Sequence, residues 1–157
     1  MSKIESRMRE LGIELPAKAL TPRANAVAWK RFGDLVFVSG QGPAWDGAIV
    51  RTGRVGDDCT MEEGQEAARL CALNVLFHVK DACGGNLDRV QACLSLTAFV
   101  RCTPEYDRQP MVVNGASDLI VEIFGEVGAH TRTAVGVSSL PLNMPVELSA
   151  IWAISGD

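Results

Sequence analysis

The stretch "HTRTAVGVSSLP", residues 130–141, has the pattern of a strand, yet Arg132 stands near its start between two threonines. A core strand has little use for a guanidinium, because taking that charge out of water is costly. Two readings account for it. In one, the side chain faces a small cavity and grips a carboxylate, for which a planar, five-donor fork is well shaped. In the other, it lies at a strand end in a surface or inter-subunit salt bridge, with Glu147 as its partner.

The remaining reactive residue types suggest less. The two histidines, His78 and His130, have no histidine or cysteine partner nearby in sequence, so no metal site is expected. His78 shares a helix side with Asn74 and Asp81 and is expected in solvent, and His130 in a loop. The five cysteines, Cys59, Cys71, Cys83, Cys93 and Cys102, include no C-x-x-C pair. They read as buried free thiols in a reducing cytoplasm. "GQGPAWDG" lacks the lysine and the following helix of a phosphate-binding loop.

The elements that must position these groups follow from periodicity. Residues 3–11 form a short amphipathic helix, stopped before Gly12, and residues 15–25 an extended arm. Residues 26–32 and 34–39 are strands joined by a tight turn, followed by a glycine-rich loop and a short strand at 48–50. Thr60 opens the clearest helix with a capping box to Glu63, and Gly84-Gly85 ends it. Residues 90–101 alternate as a strand with Ala92, Leu94 and Leu96 on one face and Cys93, Ser95 and Thr97 on the other. A second long helix spans 111–124, and strands 131–137 and 146–155 complete the chain. Each long helix has one apolar stripe, so both should pack on one face of a single sheet. The other face would carry Ser95, Thr97, Phe99, Ser149, Ile151 and Ala153. That mixture is too apolar for water, and self-association would cover it.

At 157 residues, 47% hydrophobic and 22% charged, the chain fits one domain with its own core. The net charge of −4, with Lys and Arg scattered singly, argues against a nucleic-acid partner. No apolar window is long enough to span a membrane, and the charged N-terminus has no signal-like apolar core, so a cytoplasmic location is expected.

Three segments, "LVFVSGQGP" (35–43), "TRTAVGVSSLP" (131–141) and "VELSAIWAI" (146–154), together resemble the Rid family of reactive imine/enamine deaminases, also called YjgF-type. The resemblance covers about residues 20–155. Residues 1–19 are then an N-terminal helix and arm, similar to a longer branch of the family, and 20–157 the Rid-like domain. It implies an α+β, chorismate-mutase-like fold: a single mixed sheet with two helices on one face. It also implies a homotrimer with an inner β-barrel and small-carboxylate clefts between subunits. The implied reaction is hydrolysis of 2-aminoacrylate and related 2-imino acids, products of pyridoxal-dependent dehydratases, to 2-keto acids and ammonia. No cofactor or metal is required.

Residue by residue, the resemblance assigns the substrate carboxylate to Arg132 and the orienting or activation of water to Glu147, 15 residues later. Ala134 contributes main-chain contacts, Gly40 permits close backbone approach to the ligand, and Asn114 lies near the cleft. One departure stands out: the deaminases carry a tyrosine 14 residues before the glycine of S-G-Q, where this chain has Ala26. Trp29 and Trp45 are candidates to fill its space. A trimer that binds small carboxylates without turnover is the alternative reading, and a ribonuclease fits the acidic charge least.

Overall fold

The computed structural model describes residues 1–156. In chain order the elements are α1 (Lys3–Glu10), β1 (Trp29–Phe32), β2 (Leu35–Gln41), β3 (Ala44–Trp45), β4 (Ala48–Ile49), α2 (Met61–Ala82), β5 (Val90–Arg101), α3 (Gln109–Phe124), β6 (Thr131–Val137) and β7 (Val146–Ile154). The main sheet has the order β1-β2-β7-β5-β6. Its pairs are antiparallel except β5 with β6, which are parallel and joined through α3 as a βαβ unit. This is a mixed α+β fold with α2 and α3 on one face of one sheet, as their single apolar stripes require.

Between the helices and the sheet lie Leu76, Leu96, Leu119, Ile120, Leu148 and Trp152, all fully buried. Strand β7 alternates cleanly, with Val146, Leu148, Ala150, Trp152 and Ile154 inward. Helix α2 opens on the capping box expected from Thr60 and Glu63. Helix α3 carries Pro110 in its first turn, where the missing N–H has no intrahelical acceptor to serve. A Cβ on Gly115 would meet the Gln65 backbone carbonyl at 2.0 Å, so α2 and α3 touch there main chain to main chain.

Three expectations need correction. The loop read at 39–47 contains the end of β2 and the β3–β4 hairpin. That hairpin covers one side of α2, where the Asn74 amide donates to the Ala44 carbonyl at 2.7 Å. His78 is buried, 6% exposed, rather than solvated, with its ring edge-on to Phe77 at 5.3 Å between centroids. Third, the alternation of β5 breaks at a bulge between Cys93 and Ser95. Cys93 turns into the core and Leu94 out to the open face, the reverse of the regular pattern.

Helix α1 is a third helix, laid against the other two. Its capping box is made by Ser2 and Glu5, and Asp88 accepts the Lys3 and Ile4 amides at 2.8 Å each. Glu5 accepts from Lys80 at 2.8 Å, and Met8 is buried in the common core. No helix among the described residues is long and apolar enough to cross a membrane.

Candidate functional site

Strand β7 sets Glu147 opposite Phe99, on the sheet face away from the helices. Strand β2 bulges between Val38 and Gln41 in its pairing with β7, and Gly40, inside that bulge, lies against the carboxylate. A Cβ at position 40 would lie 2.8 Å from Glu147 Cδ and 2.9 Å from Oε2, so the close approach requires glycine. Both residues line a cleft of about 260 Å³, roofed by the arm at 20–28 and closed at one end by Pro141, Leu142 and Met144. Glu147 is half-buried and has no hydrogen bond or ion pair among the described residues. Burial raises its carboxyl above the ordinary carboxylate range. A carboxyl so perturbed, unpaired and in a cleft has the marks of a group that exchanges protons.

The second candidate centre is on the edge strand β6. Arg132 pairs with Leu96 and Ala134 with Ala98, which places both on the helix side of the sheet. The Arg132 guanidinium folds against α3. Nη1 donates to Asn114 Oδ1 at 2.8 Å and to Ser117 Oγ at 3.1 Å, and Nη2 to the Pro110 carbonyl at 3.3 Å. All three acceptors are neutral, and Arg132 forms no ion pair among the described residues. Two of its five donors, Nε–H and one Nη2–H, remain, along with the whole of its charge. A half-buried guanidinium held by neutral groups is prepared for an anion. The salt bridge between Arg132 and Glu147 does not form within the chain. Glu147 and Val135 both pair with Phe99, so β5 separates the two strands, and the two side chains leave the sheet on opposite faces.

Thus the sequence candidates fall into two groups: Arg132, Asn114 and Ala134 on the helix side of β6, and Gly40 with Glu147 in the cleft under the arm. Asn114 directly holds Arg132. Ser117, one helical turn further along α3, was missed; its i+3 spacing from Asn114 was the available signal. Ala26 lines the Glu147 cleft, and none of the cleft's lining residues is aromatic. Trp29 instead donates to Asp81 at 2.9 Å, and Trp45 packs on the core. All five cysteines are buried, and burial pushes the Cys93 thiol up to about 12. Among the described residues no group of three His, Cys, Asp or Glu side chains is placed to hold a metal ion.

A five-stranded mixed sheet backed by two helices, with an unpaired arginine at its edge and an unpaired glutamate under an arm, defines a class: single-sheet α+β proteins of the YjgF/chorismate-mutase-like type. Residues 5–153 match the family described as "YjgF/chorismate_mutase-like, putative endoribonuclease". The chain belongs to this YjgF/Rid family. It is 44% identical over 150 residues to Protein TCP17 of Trypanosoma cruzi, covering 95% of this chain and 92% of that one. The crystal structure of Atu1372 from Agrobacterium tumefaciens, a protein of unknown function, matches with TM-score 0.89 and 45% identity over 98% of this chain and 94% of its own. An endoribonuclease-like protein from Shewanella oneidensis matches with TM-score 0.91 and 32% identity over 96% and 99%. RidA from an Antarctic Psychrobacter shares the fold at TM-score 0.60 and 22% identity over 87% and 94%.

Proposed function

We propose that the chain is a hydrolase that deaminates small 2-imino acids, acting at sites shared between neighbouring copies of a homotrimer. The observation that carries this reading is Arg132: half-buried, oriented by neutral acceptors, and lacking any anion of its own. It would take the substrate carboxylate on its two remaining donors. Ala134, on the same side of β6, would lie along the ligand with its main chain. Glu147, across the subunit boundary and beside Gly40, would accept a proton from water as the oxygen adds to the C=N carbon. Starting from the iminium form, the resulting carbinolamine collapses when Glu147 returns that proton to nitrogen and its carboxylate takes the hydroxyl proton as the C–N bond breaks and the C=O bond forms. Ammonia leaves, and the 2-keto acid remains. Burial raises the Glu147 carboxyl above the ordinary carboxylate range, which makes it a stronger base toward water than a solvated carboxylate.

The absence of an aromatic side chain from the Glu147 cleft, with Ala26 in its lining, favours a second reading: a trimer that binds small carboxylates without turnover. A serine dehydratase supplying 2-aminoacrylate, coupled to lactate dehydrogenase, separates the two. The hydrolase speeds pyruvate release, and Arg132→Ala and Glu147→Gln abolish the gain. Calorimetric binding of 2-oxobutyrate without any gain in rate supports the binding protein. Neither gain nor binding refutes both. Endoribonuclease activity finds no support in the net charge of −4.

A further inference from the structure

We propose that Ser117 and His130 are positioning residues that set the direction of the Arg132 guanidinium, an inference that rests on Arg132 gripping a carboxylate. Four groups are linked in sequence by hydrogen bonds. Arg132 Nη1 is 3.1 Å from Ser117 Oγ, Ser117 Oγ is 2.9 Å from His130 Nε2, and His130 Nδ1 is 2.6 Å from the Gly128 carbonyl oxygen.

The polarity of this chain follows from chemistry. A carbonyl oxygen only accepts, so Nδ1 carries the imidazole proton. A neutral ring then has its lone pair on Nε2. The single hydroxyl proton of Ser117 is donated to that lone pair. Its oxygen is left as an acceptor, and the Nη1–H of Arg132 fills it. Each proton has one place, and the order runs Arg132 to Ser117 to His130 to Gly128.

The far end of the chain is fixed. Gly128 is buried, and a Cβ there would meet the Ile120 carbonyl oxygen of α3 at 2.7 Å. The turn carrying the terminal acceptor is therefore pressed against the same helix that bears Ser117 and Asn114. With Asn114 as the second acceptor on Nη1, the guanidinium is held at both Nη1 hydrogens, and the unused Nε–H and Nη2–H are left to the ligand. An arginine held only by Asn114 and the Pro110 carbonyl would keep more of its rotamer freedom and lose it on binding.

The test is calorimetric titration of the purified full-length protein, in its native assembly, with 2-oxobutyrate. Arg132→Ala is expected to abolish binding. Ser117→Ala and His130→Asn should each weaken it about tenfold, because the first removes the oxygen that accepts from Nη1 and the second removes the ring nitrogen that orients the Ser117 hydroxyl. Ser117→Thr keeps the hydroxyl, and His130→Gln puts an amide oxygen where Nε2 was. Both should bind within a small factor of wild type. This pattern of loss and rescue at unchanged melting temperature would not arise from a merely structural role. If Ser117→Ala does not fold, the His130→Asn and His130→Gln pair decides. If Arg132→Ala abolishes binding while Ser117→Ala or His130→Asn binds as wild type, the positioning role is refuted and the carboxylate site stands. If wild type does not bind, or Arg132→Ala binds normally, both fall together.

Discussion

Glu147 and Gly40 show how one residue's chemistry is shaped by the absence of another's side chain. In Gly40→Ala the new Cβ would collide with the end of a flexible glutamate, which can swing aside. Stability should therefore change little. Turnover should fall about 10- to 100-fold, because a carboxyl displaced by an ångström no longer reaches the water. Comparing the melting temperature with the coupled rate checks both halves. His78 poses a different problem: its Nε2 is buried without a partner, and burial holds its pKa below the ordinary histidine value of 6.5. The unfolded chain takes up a proton near pH 6.5 that the folded chain refuses. Stability is thus complete above that pH and declines as pH falls toward the lower folded value, with a slope of at most about 1.4 kcal/mol per pH unit. Urea unfolding between pH 7.5 and about 5.5 should show this slope, and His78→Gln should lose that share of it.

Among the elements, α1 has the least core of its own. Its eight residues are too few for a stable isolated helix, and Met8 is its single buried side chain. Its start is held by Asp88, whose carboxylate the Ile4 and Lys3 amides keep below the usual range. Asp88→Ala should cost about 1 kcal/mol, on the scale of a lost helix cap. Hydrogen exchange should accelerate in residues 3–10 and remain unchanged in α2 and α3. Strand β5 teaches the complementary lesson. Its inward and outward residues switch at the bulge, so Leu94 joins the open face although strict alternation puts it in the core.

At the scale of the molecule, the open sheet face presents Phe32, 82% exposed, and Phe37, 43% exposed, with Leu35, Leu94 and Val135. Self-association of the kind proposed would cover these exposed apolar groups. Phe37→Asp should leave monomers in sedimentation equilibrium and remove any activity that needs two copies. The opposite-face placement of Arg132 and Glu147 makes a sharper prediction. Arg132→Ala and Glu147→Gln subunits, each inactive alone, should regain about a quarter of wild-type rate when unfolded and refolded together in equal amounts, because random assembly of a shared interface pairs an intact arginine with an intact glutamate at that frequency. No recovery would mean that each site draws both groups from one chain.

The one-dimensional pattern determined what depends on near neighbours and on side-chain type. The helices, most of the main-sheet strands, the inward face of β7 and the semi-apolar character of the opposite face are read from periods of 2 and 3.6, which local geometry imposes, and the Thr60 capping box from residue types three positions apart. Arg132 was legible as an anomaly, and the three segments around it as a family resemblance. Tertiary structure alone decided which side of the sheet each candidate occupies and which groups meet. The bulge in β5, the bond from Asn74 to the β3–β4 hairpin, the contact of Gly40 with Glu147 and the chain from Arg132 through Ser117 to His130 join residues by packing across elements. Sequence spacing carries no record of such distances, because the same local conformations permit many global arrangements until the core selects one.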